Sequence, residues 1–95
     1  MYKNLSNNFK KELRKKAYSL KPFVIVGQHG LTEAVIAEIN VALNAHELIK
    51  IKIHSNDREE RKAIMLKITE SLGATPINQI GKMLVAYRKN EQDNA

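Results

Sequence analysis

Cysteine is absent from this 95-residue sequence, and aromatic residues make up only 5% of it. Without cysteine there can be no disulfide scaffold, thiolate metal site, cysteine nucleophile or thiol redox chemistry, so we expect the fold to depend on its hydrophobic core. No apolar run approaches the roughly 18 to 20 residues of a membrane-spanning helix. The first residues also lack the apolar segment of a signal peptide. These absences predict a cytoplasmic protein with no membrane partner.

The motifs that mark common catalytic and metal sites are missing as well. The three histidines, His29, His46 and His54, match no metal-binding spacing. No HExxH, Walker A, GxSxG or Rossmann glycine pattern occurs. The acids that follow Asp57 alternate with arginines and match neither a calcium loop nor a catalytic carboxylate pair. We therefore predict a protein that is not an enzyme and that uses no cofactor or metal.

Positive charge is plentiful, and it is concentrated at one end. Residues 1–21 contain seven Lys or Arg and one Glu, a net charge of +6, whereas residues 22–95 contain nine bases and nine acids. Apolar residues at helical spacing predict a first helix that ends before Pro22, and its bases lie opposite its apolar stripe. A one-sided stripe that carries the entire net charge favours a polyanionic partner over mere solubility.

Strands and helices alternate along the rest of the chain. The apolar run at 23–26 predicts a strand that is covered on both faces or central in its sheet, and helical spacing follows from residue 31 to about 46. Isoleucine then alternates with Lys50 and Lys52, which predicts a strand with one wet, positive face. A third helix is expected to open at Asn56 or Asp57 and to end at a left-handed Gly73.

A two-residue Gly81-Lys82 loop predicts a type II′ hairpin between the last two strands. The predicted fold class is therefore α/β, a single two-layer domain over residues 1–95 with the order α-β-α-β-α-β-β and a four-stranded mixed sheet. The second and third helices are expected on the same face. A flexible tail is expected at about 90–95, and the face on which the first helix packs is left open.

The segment Gly27-Gln28-His29-Gly30 joins the first predicted strand to the second predicted helix. Glycine lets a backbone approach a phosphate closely, and a helix N-terminus adds N–H donors and partial positive charge. This is the logic of the GxxG clamp of KH domains, although two glycines in a tight turn are equally explained by turn geometry. Because Lys21 lies only five residues before the loop, we expect the end of the first helix and the loop to share one edge of the sheet.

Several separated segments resemble one known family, in order and at compatible spacing. They are residues 20–33 (LKPFVIVGQHGLTE), 46–52 (HELIKIK), 57–59 (DRE), 80–82 (IGK) and 84–88 (LVAYR). They resemble the CRM domain family, in particular its bacterial stand-alone YhbY-like members, over nearly the whole chain. The two middle residues of the loop, Gln28 and His29, depart modestly from the family pattern and could tune which RNA is preferred.

The resemblance implies an RNA-binding domain whose fold is similar to the C-terminal domain of translation initiation factor three. It also implies association with precursors of the large ribosomal subunit in ribosome assembly, with the GxxG loop and flanking bases as the RNA surface. Together with the charge pattern it predicts RNA contacts at Lys10, Lys11, Arg14, Lys15, Lys21, Gly27, Gln28, His29, Gly30, Lys50, Lys52, Arg58 and Lys82.

Two alternatives use the same basic helix. It could dock on an acidic protein or membrane surface, or the domain could bind DNA. The scarcity of aromatic residues argues against an RRM, whose sheet stacks on bases, so backbone contacts are expected to dominate. Tyr18 falls among the basic positions of the first helix, where a half-buried side chain is expected and stacking on a base or ribose is the alternative.

Overall fold

The computed structural model describes residues 6–90, which form three helices and four strands in the predicted order. The elements are α1 (Asn7–Ala17), β1 (Val24–Val26), α2 (Glu33–His46), β2 (Leu48–Ile53), α3 (Arg58–Leu72), β3 (Thr75–Ile80) and β4 (Met83–Tyr87). The strands lie in the order β1-β2-β4-β3. β1 is parallel to β2 and the other two pairs are antiparallel, which confirms the four-stranded mixed sheet.

Side-chain caps determine where the helices begin. The Ser6 hydroxyl accepts from the amide of the third residue of α1, and the Thr32 hydroxyl does the same for α2. In α3 the Asp57 carboxylate accepts from two amides of the first turn. Gly73 ends α3 with φ 63°, and Gly81 starts the hairpin with φ 56°. The sequence predicted Asp57, Gly73 and Gly81 among these positions, because caps and tight turns act locally.

The main core lies between α2, α3 and the face of the sheet turned toward them, which we call the first face. Both helices pack on this face, as predicted, because their apolar stripes meet the isoleucines that alternate along β2. The buried residues of this core are Val24, Val26, Ile39, Leu43, Ile49, Ile51, Ile53, Ile68, Ala74, Leu84 and Ala86.

α1 packs on the opposite side of the sheet, the second face, which carries Lys50 and Lys52. Leu13 and Ala17 of α1 are buried there in a smaller cluster with Leu48, Ile77 and Val85. This arrangement decides the question that the sequence left open. Leu5, which the apolar periodicity also assigns to the first helix, lies outside the described residues.

The expectation that the first strand is covered on both faces is wrong. β1 is an edge strand, and although Val24 and Val26 are buried, Ile25 is 60% exposed on the second face. α1 contacts β2 and β3, so an apolar run in β1 is only half covered. An unbroken apolar sequence cannot distinguish a strand covered on both faces from one covered on a single face, because the covering helix comes from elsewhere in the chain.

Arg88 ties the C-terminal ends of two helices together. Its guanidinium donates to the carbonyl of Leu72 at the end of α3 (2.9 Å), and to the Asn40 carbonyl and the Asn44 side chain in α2 (3.3 and 2.8 Å). The amide of Asn90 donates to the Glu47 carboxylate at 2.7 Å. The chain is therefore held as far as residue 90, and the rest of the predicted tail, 91–95, lies outside the described residues.

Candidate nucleic-acid interface

Three loops meet at one edge of the sheet, which we call the loop edge: residues 27–32, 54–57 and 81–82. β1 and β2 are parallel, so both end there, and β4 starts there because Lys52 pairs with Met83. The Ile53 amide donates to the Lys82 carbonyl at 2.7 Å, and the His54 amide donates to the Val26 carbonyl at 2.8 Å. The glycine loop and the hairpin thus belong to one edge.

The glycine loop is a closed turn with its two middle residues exposed. The Gly30 amide donates to the Gly27 carbonyl at 3.0 Å, and Gly30 has φ 76°. Within residues 6–90, the amides of Gln28 and His29 donate to no backbone acceptor. The loop therefore presents N–H donors to solvent, as an anion-binding backbone turn must.

The two glycines differ in why the chain needs them. Gly30 has a left-handed φ that disfavours any residue with a Cβ atom. Gly27 has no such φ, and an added Cβ there would have no neighbour within 4 Å. The described fold therefore requires glycine at position 30 but not at position 27. A close approach by a ligand would explain the glycine at position 27.

The helix N-termini at the loop edge are not purely positive. Glu33 lies in the first turn of α2, and Glu59 and Glu60 lie in the first turn of α3. These carboxylates offset the partial positive charge of the helix ends. Arg58 opens α3 at this edge and is exposed, so side-chain charge as well as the helix ends must attract an anion.

One row of residues crosses the second face next to the loop edge and is not covered by α1. Ile25, Lys52, Met83 and Ile80 lie directly opposite one another on the four strands, and we call them the outer row. Ile25 is 60% and Ile80 67% exposed, while Lys52 and Met83 are half-buried. The row joins the glycine loop side of the sheet to the end of α1.

A groove of about 210 Å³ opens between the end of α1 and the outer row. Its lining residues are Arg14, Ala17, Tyr18, Lys50, Asn78, Ile80, Met83 and Val85. The expectation that Tyr18 is half-buried is wrong, because its side chain is 88% exposed. Helical-wheel geometry could not decide this, since the exposure of Tyr18 depends on how much of the sheet α1 covers.

The structure brings most of the predicted contact residues onto two adjoining surfaces. Lys11, Arg14 and Lys15 are exposed on α1, and Lys10 is half-buried. Within residues 6–90 none of these four side chains is held by a carboxylate. The other predicted contact residues that lie on or next to the second face and the loop edge are Gly27, Gln28, His29, Gly30, Lys50, Lys52, Arg58 and Lys82.

Lys21 is the exception. It precedes β1, so it lies at the amino end of that strand, whereas the glycine loop leaves from the carboxyl end. The last turn of α1 approaches the hairpin strands through Tyr18, and the chain then returns to the opposite edge of the sheet. The last turn of α1 therefore lies beside the outer row, near the loop edge, whereas Lys21 itself lies at the other end of β1, because a strand runs from one end of the sheet to the other.

Two properties of the described residues bear on function. No group of three or more His, Asp or Glu side chains is arranged to hold a metal ion in residues 6–90. Over the same range, every helix is too short or too polar to cross a membrane.

Comparison with known proteins gives consistent results. Residues 5–88 match the family model of the CRS1/YhbY (CRM) domain. The chain is 44% identical to an RNA-binding protein of Haemophilus influenzae, covering 93% of this chain and 89% of the relative. It is 40% identical to a probable RNA-binding protein of Pseudomonas aeruginosa, covering 95% and 86%.

A solved structure agrees with the fold. The solution structure of a Staphylococcus aureus protein, described as a candidate RNA-binding protein, superimposes with a TM-score of 0.81 at 28% identity and covers 95% of this chain and 94% of that one. The family model spans nearly all of the described residues, and two relatives are 44% and 40% identical to this chain. The chain therefore belongs to the CRS1/YhbY (CRM) domain family.

Proposed function

We propose that this chain is a non-enzymatic RNA-binding protein that holds the RNA backbone on the second face and the loop edge. The observation that carries the proposal is the continuity of this surface. It runs from the bases of α1, past Lys50 and Lys52, along the outer row to the exposed amides of the glycine loop. Free cations beside exposed N–H donors suit a phosphate backbone. The names of the relatives support RNA as the polyanion.

The charge pattern of α1 supports a polyanionic partner. Lys10 and Arg14 form a like-charged i,i+4 pair, as do Lys11 and Lys15. Each such pair costs a helix roughly 0.2–0.5 kcal/mol. Glu12 is the one acid of α1, and within residues 6–90 no carboxylate is paired with these four bases, so most of their charge is left for a ligand.

Docking of α1 on a lipid surface is a weaker explanation. Its apolar residues Leu13 and Ala17 are buried against the sheet. The helix therefore has no free apolar face to insert into lipid. An acidic protein or DNA remains a distinguishable partner in the experiments below.

We further propose that the RNA is a precursor of the large ribosomal subunit and that binding takes place in the cytoplasm. Support for this finer assignment comes from the family to which the chain belongs. Crosslinking the protein to RNA in cells, followed by sequencing of the adducts, should enrich ribosomal RNA precursors. Adducts spread evenly over messenger RNA would contradict a role in ribosome assembly.

The binding surface is tested by neutralising three exposed bases of α1. The variant Lys11→Gln, Arg14→Gln, Lys15→Gln should bind a single-stranded RNA at least about tenfold more weakly at low salt. If four to six phosphates are engaged, the slope of log K against log salt is about −3 to −4 for the unmodified chain, and it should become shallower by about 2.

The matched control changes three exposed lysines outside α1, the groove and the loop edge: Lys62→Gln, Lys67→Gln and Lys89→Gln. It removes the same charge, so a general electrostatic effect would weaken RNA binding equally in both variants. Equal RNA affinities and equal salt slopes for the two variants would show that RNA does not bind at the α1 surface. Competition by single-stranded DNA as effective as that by RNA would favour a general nucleic-acid module.

A further inference from the structure

We propose that the groove between α1 and the outer row binds one unpaired nucleobase, with Tyr18 as its stacking surface. This inference rests on the proposed RNA-binding function and adds to it a preference for single-stranded RNA. Contacts to phosphates alone do not distinguish an unpaired nucleotide from a paired one. The sequence left stacking by Tyr18 as the alternative to a half-buried side chain, and the 88% exposure of that side chain now favours stacking.

The Tyr18 ring is exposed, and the backbone that carries it is held in place. It caps the C-terminus of α1, and its amide donates to the Lys15 carbonyl at 3.2 Å. The next two residues continue the turn: the Ser19 hydroxyl donates to the Lys16 carbonyl and the Leu20 amide donates to the Ala17 carbonyl, both at 3.1 Å. A ring on a fixed backbone loses little conformational freedom when a base stacks on it.

The groove offers a nucleobase both apolar and polar contacts. Ile80, Met83 and Val85 line it with apolar side chains, and Asn78 adds an amide that can donate to and accept from a base edge. A register shift between Pro76 and Asn78 explains why Asn78 is available. It lets Ile77 lie buried under α1 while Asn78, paired with Val85, faces the same side of the sheet.

Charge decides which occupant fits. Arg14 and Lys50 line the same groove, and Lys52 follows in the outer row. A nucleotide supplies an apolar ring face together with a phosphate, which matches this combination. A second copy of the chain across a two-fold axis would place these same bases opposite one another, and like charges repel.

Replacing the ring tests the stacking. Tyr18→Ala should bind an unstructured 12-nucleotide RNA about 5- to 100-fold more weakly, and Tyr18→Phe should stay within about twofold of the unmodified chain. The salt slope should be unchanged in both, since no charge is removed. Unchanged affinity of Tyr18→Ala, with the α1 charge variant still impaired, would overturn the base site and leave the proposed function standing. If neither variant is impaired, the proposed function fails.

A fluorescent reporter distinguishes binding of a nucleobase in the groove from binding of phosphate. The chain has no tryptophan, so Tyr18→Trp introduces a single indole, and Leu66→Trp on the exposed side of α3 provides the matched control. The 12-nucleotide RNA should quench the Tyr18→Trp indole, whereas inorganic polyphosphate should bind without quenching it. The control indole should respond to neither probe.

Two outcomes of the reporter experiment would overturn the proposal. One is equal quenching of the Tyr18→Trp indole by polyphosphate and RNA. The other is no response at a concentration of RNA that saturates binding. If instead Tyr18→Ala converts a dimer to a monomer in sedimentation and keeps its RNA affinity, the groove is a contact between copies of the chain and the base site is wrong.

Discussion

On the first face of the sheet β2 contributes Ile49, Ile51 and Ile53, all buried under α2 and α3. On the second face the same strand contributes buried Leu48, followed by half-buried Lys50 and Lys52. Two helices cover one face, and a single helix covers part of the other. The difference teaches that the fold is secured on the first face, which leaves α1 free to carry charge and the outer row free to contact a ligand.

The largest effect should come from truncating a buried side chain of the first face. Ile51→Ala should lower the free energy of unfolding by about 3–5 kcal/mol, because a fully buried isoleucine leaves a cavity. Ile25→Ala, on the exposed side of the neighbouring strand, should cost less than about 1 kcal/mol. Urea unfolding of both variants measures the contrast, and equal losses would refute the distinction between the faces.

The next largest effect should come from Leu13→Ala beneath α1. Leu13 is 4% exposed, and its truncation should cost about 2–3 kcal/mol. Because only Leu13 and Ala17 of this helix are buried, α1 should then open without the rest of the chain. Hydrogen exchange should show faster exchange in α1 and little change in α2. A uniform loss of protection would show that α1 is as integral to the fold as α2.

Arg88→Ala should cost about 2 kcal/mol, since it removes hydrogen bonds from a charged donor to the ends of α2 and α3. Lys89→Ala, at the exposed next position, should change the unfolding free energy by less than about 0.5 kcal/mol. RNA affinity should be unaffected by either change. A marked loss of RNA affinity in a folded Arg88→Ala protein would mean that this residue contacts the ligand.

Replacing the two loop glycines should have smaller effects than Arg88→Ala on stability, and the two replacements should differ in what they change: stability at position 30 and RNA binding at position 27. Gly30→Ala should cost about 1–2 kcal/mol because of its left-handed φ. Gly27→Ala should leave the thermal unfolding midpoint almost unchanged and still weaken RNA binding, because a Cβ atom would separate the backbone from a phosphate. If Gly27→Ala binds RNA as tightly as the unmodified chain, RNA does not approach the backbone at position 27.

Much of the fold was predictable because its signals are local. Ser6, Thr32 and Asp57 cap helices by bonding amides two or three residues away. The alternation along β2 reflects the two faces of any strand. The glycine loop and the hairpin were recognisable for the same reason, and parallel pairing of β1 with β2 then brings them to one edge.

The parts that were not predictable depend on contacts between distant segments. The role of Arg88 requires the ends of α2 and α3 to meet, and neither end is near it in sequence. Nothing local to Lys21 reveals that it lies at the edge opposite the loop. The exposure of Tyr18 and Ile25 likewise follows from which strands α1 covers.

The sequence by itself determined the order of elements, the apolar set that closes the first face, and the concentration of charge in the first helix, because periodicity and capping act within a few residues. Only the tertiary structure decided that α1 lies across the second face and stops short of the outer row. That placement depends on the packing of Leu13 and Ala17 against strands more than thirty residues away in the chain, and it turns a basic helix into one wall of a groove.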